Sequence, residues 1–180
     1  MWITLWTTVD NPVDNRGFAV EEVCTMVVKN ENQALCIAQE MERRAIRVYE
    51  RALMLAEDPA VKAGILEILQ DEQRHLARFT EMREGYPVDA EEERMLIAGM
   101  AADVLFSGGV VEMKRSDALT TLPGLYCYAA DSEAGAVRTY ASFAQACGDS
   151  AVRSAFMDIV HEESSHLADL RARIAGLEQK

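Results

Sequence analysis

Residues 161–170 read HEESSHLADL, and ninety-one positions earlier residues 70–79 read QDEQRHLARF. Glu72, His75, Leu76 and Ala77 in the earlier stretch stand where Glu163, His166, Leu167 and Ala168 stand in the later one. In each, a glutamate precedes a histidine by three positions, one turn along a helix and about 60° round it, so two side chains can reach one ion. Apolar residues flank both pairs at helical spacing: Ile65, Ile68, Leu69, Leu76 and Phe79 in one, Phe156, Ile159, Val160, Leu167 and Leu170 in the other. They place the Glu-x-x-His pairs on the face that a helix must bury.

The correspondence extends well beyond these stretches. Between Cys36 and Phe79, fourteen positions are identical to the residue 91 positions later, with no gap. Glu42 pairs with Glu133, Ala45 with Ala136, Tyr49 with Tyr140 and Asp58 with Asp149. An internal repeat at a constant offset means that one supersecondary unit occurs twice. The unit is a helical hairpin. Its first copy runs from about Asn30 to Glu57, with Leu35, Ala38, Ala45, Ile46, Tyr49, Leu53 and Ala56 along one face, and then from Pro59 to about Glu84. Asp58 is a good N-cap and Pro59 tolerates the first helical position. The second copy runs from about Leu119 to Cys147 and from Ser150 to about Ala175, broken by a terminal glycine, Gly148, and a second candidate N-cap, Asp149.

Turns this short force each pair of helices antiparallel. Two hairpins, each with one apolar face, predict an all-α four-helix bundle with a pseudo-twofold axis. Residues 85–118 join them and include the acidic run DAEEER, read as a solvated helix start, a short extra helix through RMLIAGMAADVLF, and a break at Gly108-Gly109. That length can travel the bundle as a crossover, so residues 30–176 form the bundle and residues 1–29 an N-terminal extension, irregular or short strand.

Composition narrows the function. The chain has 180 residues, a net charge of -12 and 49% hydrophobic residues, which suits a soluble protein and argues against a nucleic-acid or anionic-membrane partner. No apolar run approaches the roughly 18 residues of a membrane span, and the N-terminus lacks the basic and apolar regions of an export signal. Cys24, Cys36, Cys127 and Cys147 form no Cys-x-x-Cys pair, so they are expected to be buried free thiols of a reducing cytoplasm.

Glu42, Ala45 and Tyr49 share one helix face, as do Glu133, Ala136 and Tyr140. Each hairpin therefore offers one glutamate from its first helix and a Glu-x-x-His pair from its second. Glu42, Glu72, His75, Glu133, Glu163 and His166 converge on the bundle interior. Four ionised carboxylates buried without counter-charge would each cost several kcal/mol, more together than the roughly 5–15 kcal/mol net stability of a domain. Two divalent cations would cancel them. Carboxylate-rich sites with one imidazole per metal suit iron or manganese, and this constellation is the one that the ferritin-like dimetal carboxylate bundles use. A single Glu-x-x-His on an acidic helix is ordinarily an exposed contact; the joint recurrence is what points to metal. Tyr49 and Tyr140 are either core aromatics or, one or two turns from a carboxylate, hydroxyls able to orient it from behind. Glu40 falls off this face and is expected to pair with Arg44 or Arg47, and His161, without a counterpart, to lie at the surface or behind the ligands.

In EMERRAIRVYERA, LQDEQRHLARF, SEAGAVRTYASFA and VHEESSHLADL the chain resembles the rubrerythrin branch of the ferritin-like superfamily, over about residues 30–175. The resemblance implies two iron ions, replaceable by manganese or zinc, held by the six residues named, with Glu72 and Glu163 bridging. It implies reduction of hydrogen peroxide or dioxygen, and a cytoplasmic homodimer. Two features depart from that branch. The rubredoxin domain with its paired cysteines is lacking, so a separate rubredoxin-like donor would supply electrons. The additional glutamate expected three residues after Glu133 is Ala136, which makes the site resemble the ferroxidase centre of bacterioferritin. Ferroxidase and iron storage, hydroxylation of an organic substrate, and a non-enzymatic metal-binding bundle are the alternatives.

Overall fold

The computed structural model describes residues 28–107 and 119–178. Among them are five helices: α1 (Glu31–Leu55), α2 (Pro59–Arg83), α3 (Ala90–Ser107), α4 (Leu122–Ala146) and α5 (Ser150–Glu178). α1 with α2 and α4 with α5 form the two hairpins, and α3 lies between them in the chain, against α1. Residues 1–27 of the expected extension and the Gly108-Gly109 break lie outside the described residues. Val28 is buried in the core.

The helix starts are set by side-chain caps. Asp58 accepts from the amide of Ala60 at 2.7 Å, and Asp149 from those of Ala151 and Val152 at 2.7 and 3.2 Å. These occupy amide groups that the first turn leaves unpaired. Asn30 and Thr121 cap α1 and α4 in the same way. The expected terminal glycine does not close α4. The chain leaves that helix through Cys147 in extended backbone, and the amide of Gly148 donates to Glu31 Oε2 at 3.2 Å.

Contacts between helices fix their directions. Tyr140 reaches Glu42 while Tyr128 packs edge-on against Tyr49, so α1 and α4 are antiparallel. Arg173 pairs with Glu67 and Arg78 with Asp158, so α2 and α5 are antiparallel too. α2 and α4 therefore run the same way, which is the geometry that the long connection serves. Its acidic run is more than a solvated helix start. Asp89 caps α3, Glu92 accepts from Gln33 Nε2 at 2.7 Å, and Glu93 pairs with Arg83 at 2.7 Å, tying α3 to both helices of the first hairpin.

The core is divided along the bundle axis. One apolar end gathers Phe79, Tyr140, Phe143 and Phe156, with ring centroids 5.3–6.2 Å apart. The other gathers Tyr49, Ile65, Leu69, Leu125 and Ala129. Buried aromatic and aliphatic side chains of this size each contribute on the order of 1.5–3 kcal/mol. Among the described residues the cysteines are free thiols, with Cys36 and Cys147 buried and Cys127, expected inside, exposed; Cys24 lies outside the described residues. Cys127 sits two positions from the buried pair Leu125 and Ala129, on the opposite side of α4.

Candidate metal centre

Between the two apolar ends lies a layer of buried acid. Glu42, Glu72, Glu133, Glu163 and His75 are all at most 7% exposed. The six predicted residues come together as two triads. Glu42, Glu72 and His75 present ligand atoms within 4.8 Å of one another, and so do Glu133, Glu163 and His166. Two ligand atoms on opposite sides of an ion with bonds of about 2.2 Å lie roughly 4.4 Å apart. Each triad is thus close to the size of one coordination sphere.

The imidazoles show how the layer is built. His75 Nδ1 lies 3.0 Å from Glu163 Oε1, and His166 Nδ1 lies 3.3 Å from Glu163 Oε2. The Glu163 carboxylate sits between two histidines from different hairpins. The outer nitrogens face carboxylates that the sequence reading passed over: His75 Nε2 is 3.2 Å from Glu162 Oε2, and His166 Nε2 is 3.6 Å from Asp71 Oδ2. Asp71 and Glu162 are themselves 91 positions apart, each directly before the glutamate of a Glu-x-x-His pair. Glu162, at hydrogen-bond distance, favours the proton on His75 Nε2 and the Nδ1 lone pair turned inward, as outer carboxylates do for metal-bound histidines, whereas Asp71 stands beyond that distance and acts on His166 through its charge. The repeat contained this signal as an acidic residue at both positions, though not an identical one.

His75 Nδ1 is buried and, despite its nearness to Glu163, makes no hydrogen bond. A buried polar atom without a partner costs about 1–3 kcal/mol, and an ion in the triad would satisfy it. Together with the donor set of four carboxylates and two imidazoles, this is a fit to a pair of divalent cations.

The electrostatics agree. Burial, with Glu163 next to it, pushes the Glu133 carboxyl up to about 10. Burial and Glu42 hold Glu72 well above the carboxylate range, and burial raises Glu42 as well. Glu163 behaves oppositely: burial works against its ionisation, but the hydrogen bond to His166 and the charge of His75 outweigh it and keep the carboxylate ionised. Burial likewise opposes the charged form of His75, yet Glu163 raises that imidazole to about 9. Glu163 also raises His166. Without metal, protons occupy the place of the cations.

The two tyrosines differ. The Tyr140 hydroxyl donates a short hydrogen bond to Glu42 Oε1, as expected of a residue orienting a carboxylate. The Tyr49 hydroxyl is wholly buried and donates to no carboxylate; Ser132 is near enough to affect its ionisation but does not satisfy it. Glu40 pairs with Arg44 and Arg47 at 3.3 and 2.9 Å, and His161 is exposed. Ala136 is partly buried against the core.

A cleft of about 120 Å³ reaches the second triad, with Glu133 and His166 among its walls. A larger, shallow depression of about 560 Å³ lies on the outer face of α1 beside Arg44, Arg47 and Met54, and contains none of the six residues. No helix among the described residues is long and apolar enough to cross a membrane. No protein-family model matches the chain, and no curated protein or solved structure is found similar to it.

Proposed function

We propose that the chain is a rubrerythrin-like, non-haem diiron oxidoreductase that reduces hydrogen peroxide, or dioxygen, with electrons from a separate donor protein. The observation that carries this reading is the pair of buried Glu-Glu-His triads facing each other across Glu163. A pair of ferrous ions supplies two electrons to an O–O bond in one event, and with two protons one hydrogen peroxide becomes two waters. Glu42, Glu72 and His75 would hold one ion, and Glu133, Glu163 and His166 the other. Glu162 keeps the Nε2 proton of His75 in place, and the charge of Asp71 faces Nε2 of His166, so that both imidazoles stay oriented. Tyr140 fixes Glu42 through its hydroxyl. The apolar ends keep bulk water from the layer.

The cleft supports a small oxidant. At about 120 Å³ it admits a few water-sized molecules, whereas pockets for organic ligands are typically about 300–1,000 Å³. Hydroxylation of an organic substrate is disfavoured on that ground. Iron oxidation for storage is favoured by one feature, the alanine at position 136 where a seventh ligand would stand in the peroxidase arrangement. Size-exclusion chromatography separates these readings, because a hollow shell of many copies supports storage and a dimer supports the reductase. Anaerobic stopped-flow mixing of the iron-loaded, reduced protein with peroxide, and separately with dioxygen, tests the proposal. Oxidation by peroxide within the mixing experiment is expected; indifference to both oxidants refutes it.

A further inference from the structure

The repeat makes the two triads chemically alike, but they are not equally accessible. The His75 side chain is 3% exposed and that of His166 is 26% exposed. The difference arises at positions where the two copies carry different residues. Above His166, the cleft between α2, α4 and α5 has Gly64, Ile68 and Leu170 in its walls, and Glu67, Asp169 and Arg173 at its rim. Phe79 replaces Leu170 in the other copy, wholly buried in the aromatic cluster. Arg78 replaces Asp169, and its guanidinium reaches Asp158 at 2.7 Å and Glu162 at 3.4 Å, covering the carboxylate behind His75. Met82 replaces Arg173, partly buried against the core. One side is plugged and the other is open.

Arg173 spans the open side. Its Nη1 donates to Glu67 Oε2 on α2 at 2.8 Å and to the Tyr126 hydroxyl on α4 at 3.3 Å. Its guanidinium also stands 5.5 Å from the centre of the Tyr126 ring. Gly64 lies beneath this pair: a Cβ there would press on Leu125 at 3.2 Å and touch the Tyr126 ring at 3.4 Å. The second copy has Ala155 at the equivalent place, facing no such tyrosine, since position 35 is Leu. The latch is therefore a feature of one half alone.

We propose that divalent cations reach the site through this cleft, at the His166 triad first, and that Arg173 is the gate: a cation fastened across an acidic mouth by Glu67 and Tyr126. The inference rests on the metal reading given above and adds a direction of loading to it. Asp71, Asp169 and Glu67 attract the incoming ion, while Arg173 repels it and narrows the opening until its two hydrogen bonds release. Charge at the mouth of a cleft changes association rates by roughly tenfold or more. It does not alter the ligands, so the quantity of metal held at equilibrium stays the same.

The test mixes the metal-free full chain with cobalt(II) and follows the growth of its visible ligand-field absorption, with equilibrium dialysis for stoichiometry. Arg173→Ala is expected to take up cobalt about tenfold faster, and Asp169→Arg, which puts an arginine where the plugged side has Arg78, about tenfold slower. All three chains should hold the same amount of cobalt at equilibrium. Equal rates in chains that bind cobalt fully overturn the gate and leave the metal site standing. Absence of cobalt binding in the unsubstituted chain overturns the metal reading itself, and the gate with it.

Discussion

Loading the site with metal should expel protons, and the number follows from the groups described. Glu133 is raised to about 10 and His75 to about 9, so both carry a proton at pH 7, and Glu72 stands well above the carboxylate range. A coordinating carboxylate must be ionised and a coordinating imidazole neutral, so each of these protons leaves when ions bind. Calorimetric titration of the metal-free chain with cobalt(II) at pH 7, in buffers of differing ionisation enthalpy, should report the release of at least two protons per two ions, one each from Glu133 and His75. The same groups set the stability of the metal-free chain. Both pKa values are higher in the folded chain than in the unfolded one, so the folded state binds the extra protons. Stability is greatest below the unfolded values and is lost as pH rises toward the folded ones. Each such proton contributes a slope of about 1.4 kcal/mol per pH unit. For Glu133 the window is pH 4.5 to about 10, and for His75 it is pH 6.5 to about 9. Urea midpoints of the metal-free chain should fall through these windows, while metal should stabilise it increasingly with pH. Metal binding with no proton release would refute the reasoning, because it would mean that the carboxylates are ionised and hydrated before metal arrives.

Four substitutions probe the layer and its frame. Tyr140→Phe removes the donor to buried Glu42 and should cost about 1–3 kcal/mol in the metal-free chain, whereas Tyr49→Phe removes a hydroxyl without a satisfied bond and should be near neutral; denaturant unfolding of the two variants decides, and the reverse order would be contrary to the geometry. Glu162→Gln leaves a polar group behind His75 Nε2 but removes the charge that holds its proton, so cobalt affinity should drop by roughly 10-fold or more with unchanged stoichiometry, as read by competition with a chelator. Asp58→Ala deletes the α2 cap and should lower unfolding free energy by about 1 kcal/mol without moving the cobalt spectrum.

Much of this was visible in the residues alone. The repeat offset and the Glu-x-x-His spacing led to six side chains that the fold does bring together, because helical periodicity and short turns leave a hairpin little choice of which face to bury. Asp58 and Asp149 marked two helix starts for the same local reason. Other features depended on contacts between elements, which periodicity does not encode. Glu162 and Asp71 stand out only where the opposite hairpin supplies the imidazole each one faces. Cys127 matched Cys36 in the repeat yet is exposed, and Tyr49 matched Tyr140 yet lacks its glutamate partner. A repeat transmits the face of a helix faithfully, but not what a particular neighbour does with it.

The differences between the copies therefore carry as much information as the identities. At the positions that define the triads, the halves agree in every residue: Glu42 with Glu133, Glu72 with Glu163, His75 with His166. One layer outward they diverge in size and sign of charge: Phe79 against Leu170, Arg78 against Asp169, Met82 against Arg173. Two like triads with like shells would offer two equal approaches and no order of filling. A bundle that keeps the ligands paired and varies only what surrounds them gains a closed half and an accessible half without changing the donor set. The closed half also has the stronger outer support, since Arg78 braces the Glu162 that braces His75, while His166 depends on an Asp71 whose own partner is the exposed Arg74. Rigidity on one side and access on the other thus follow from the same three substituted positions.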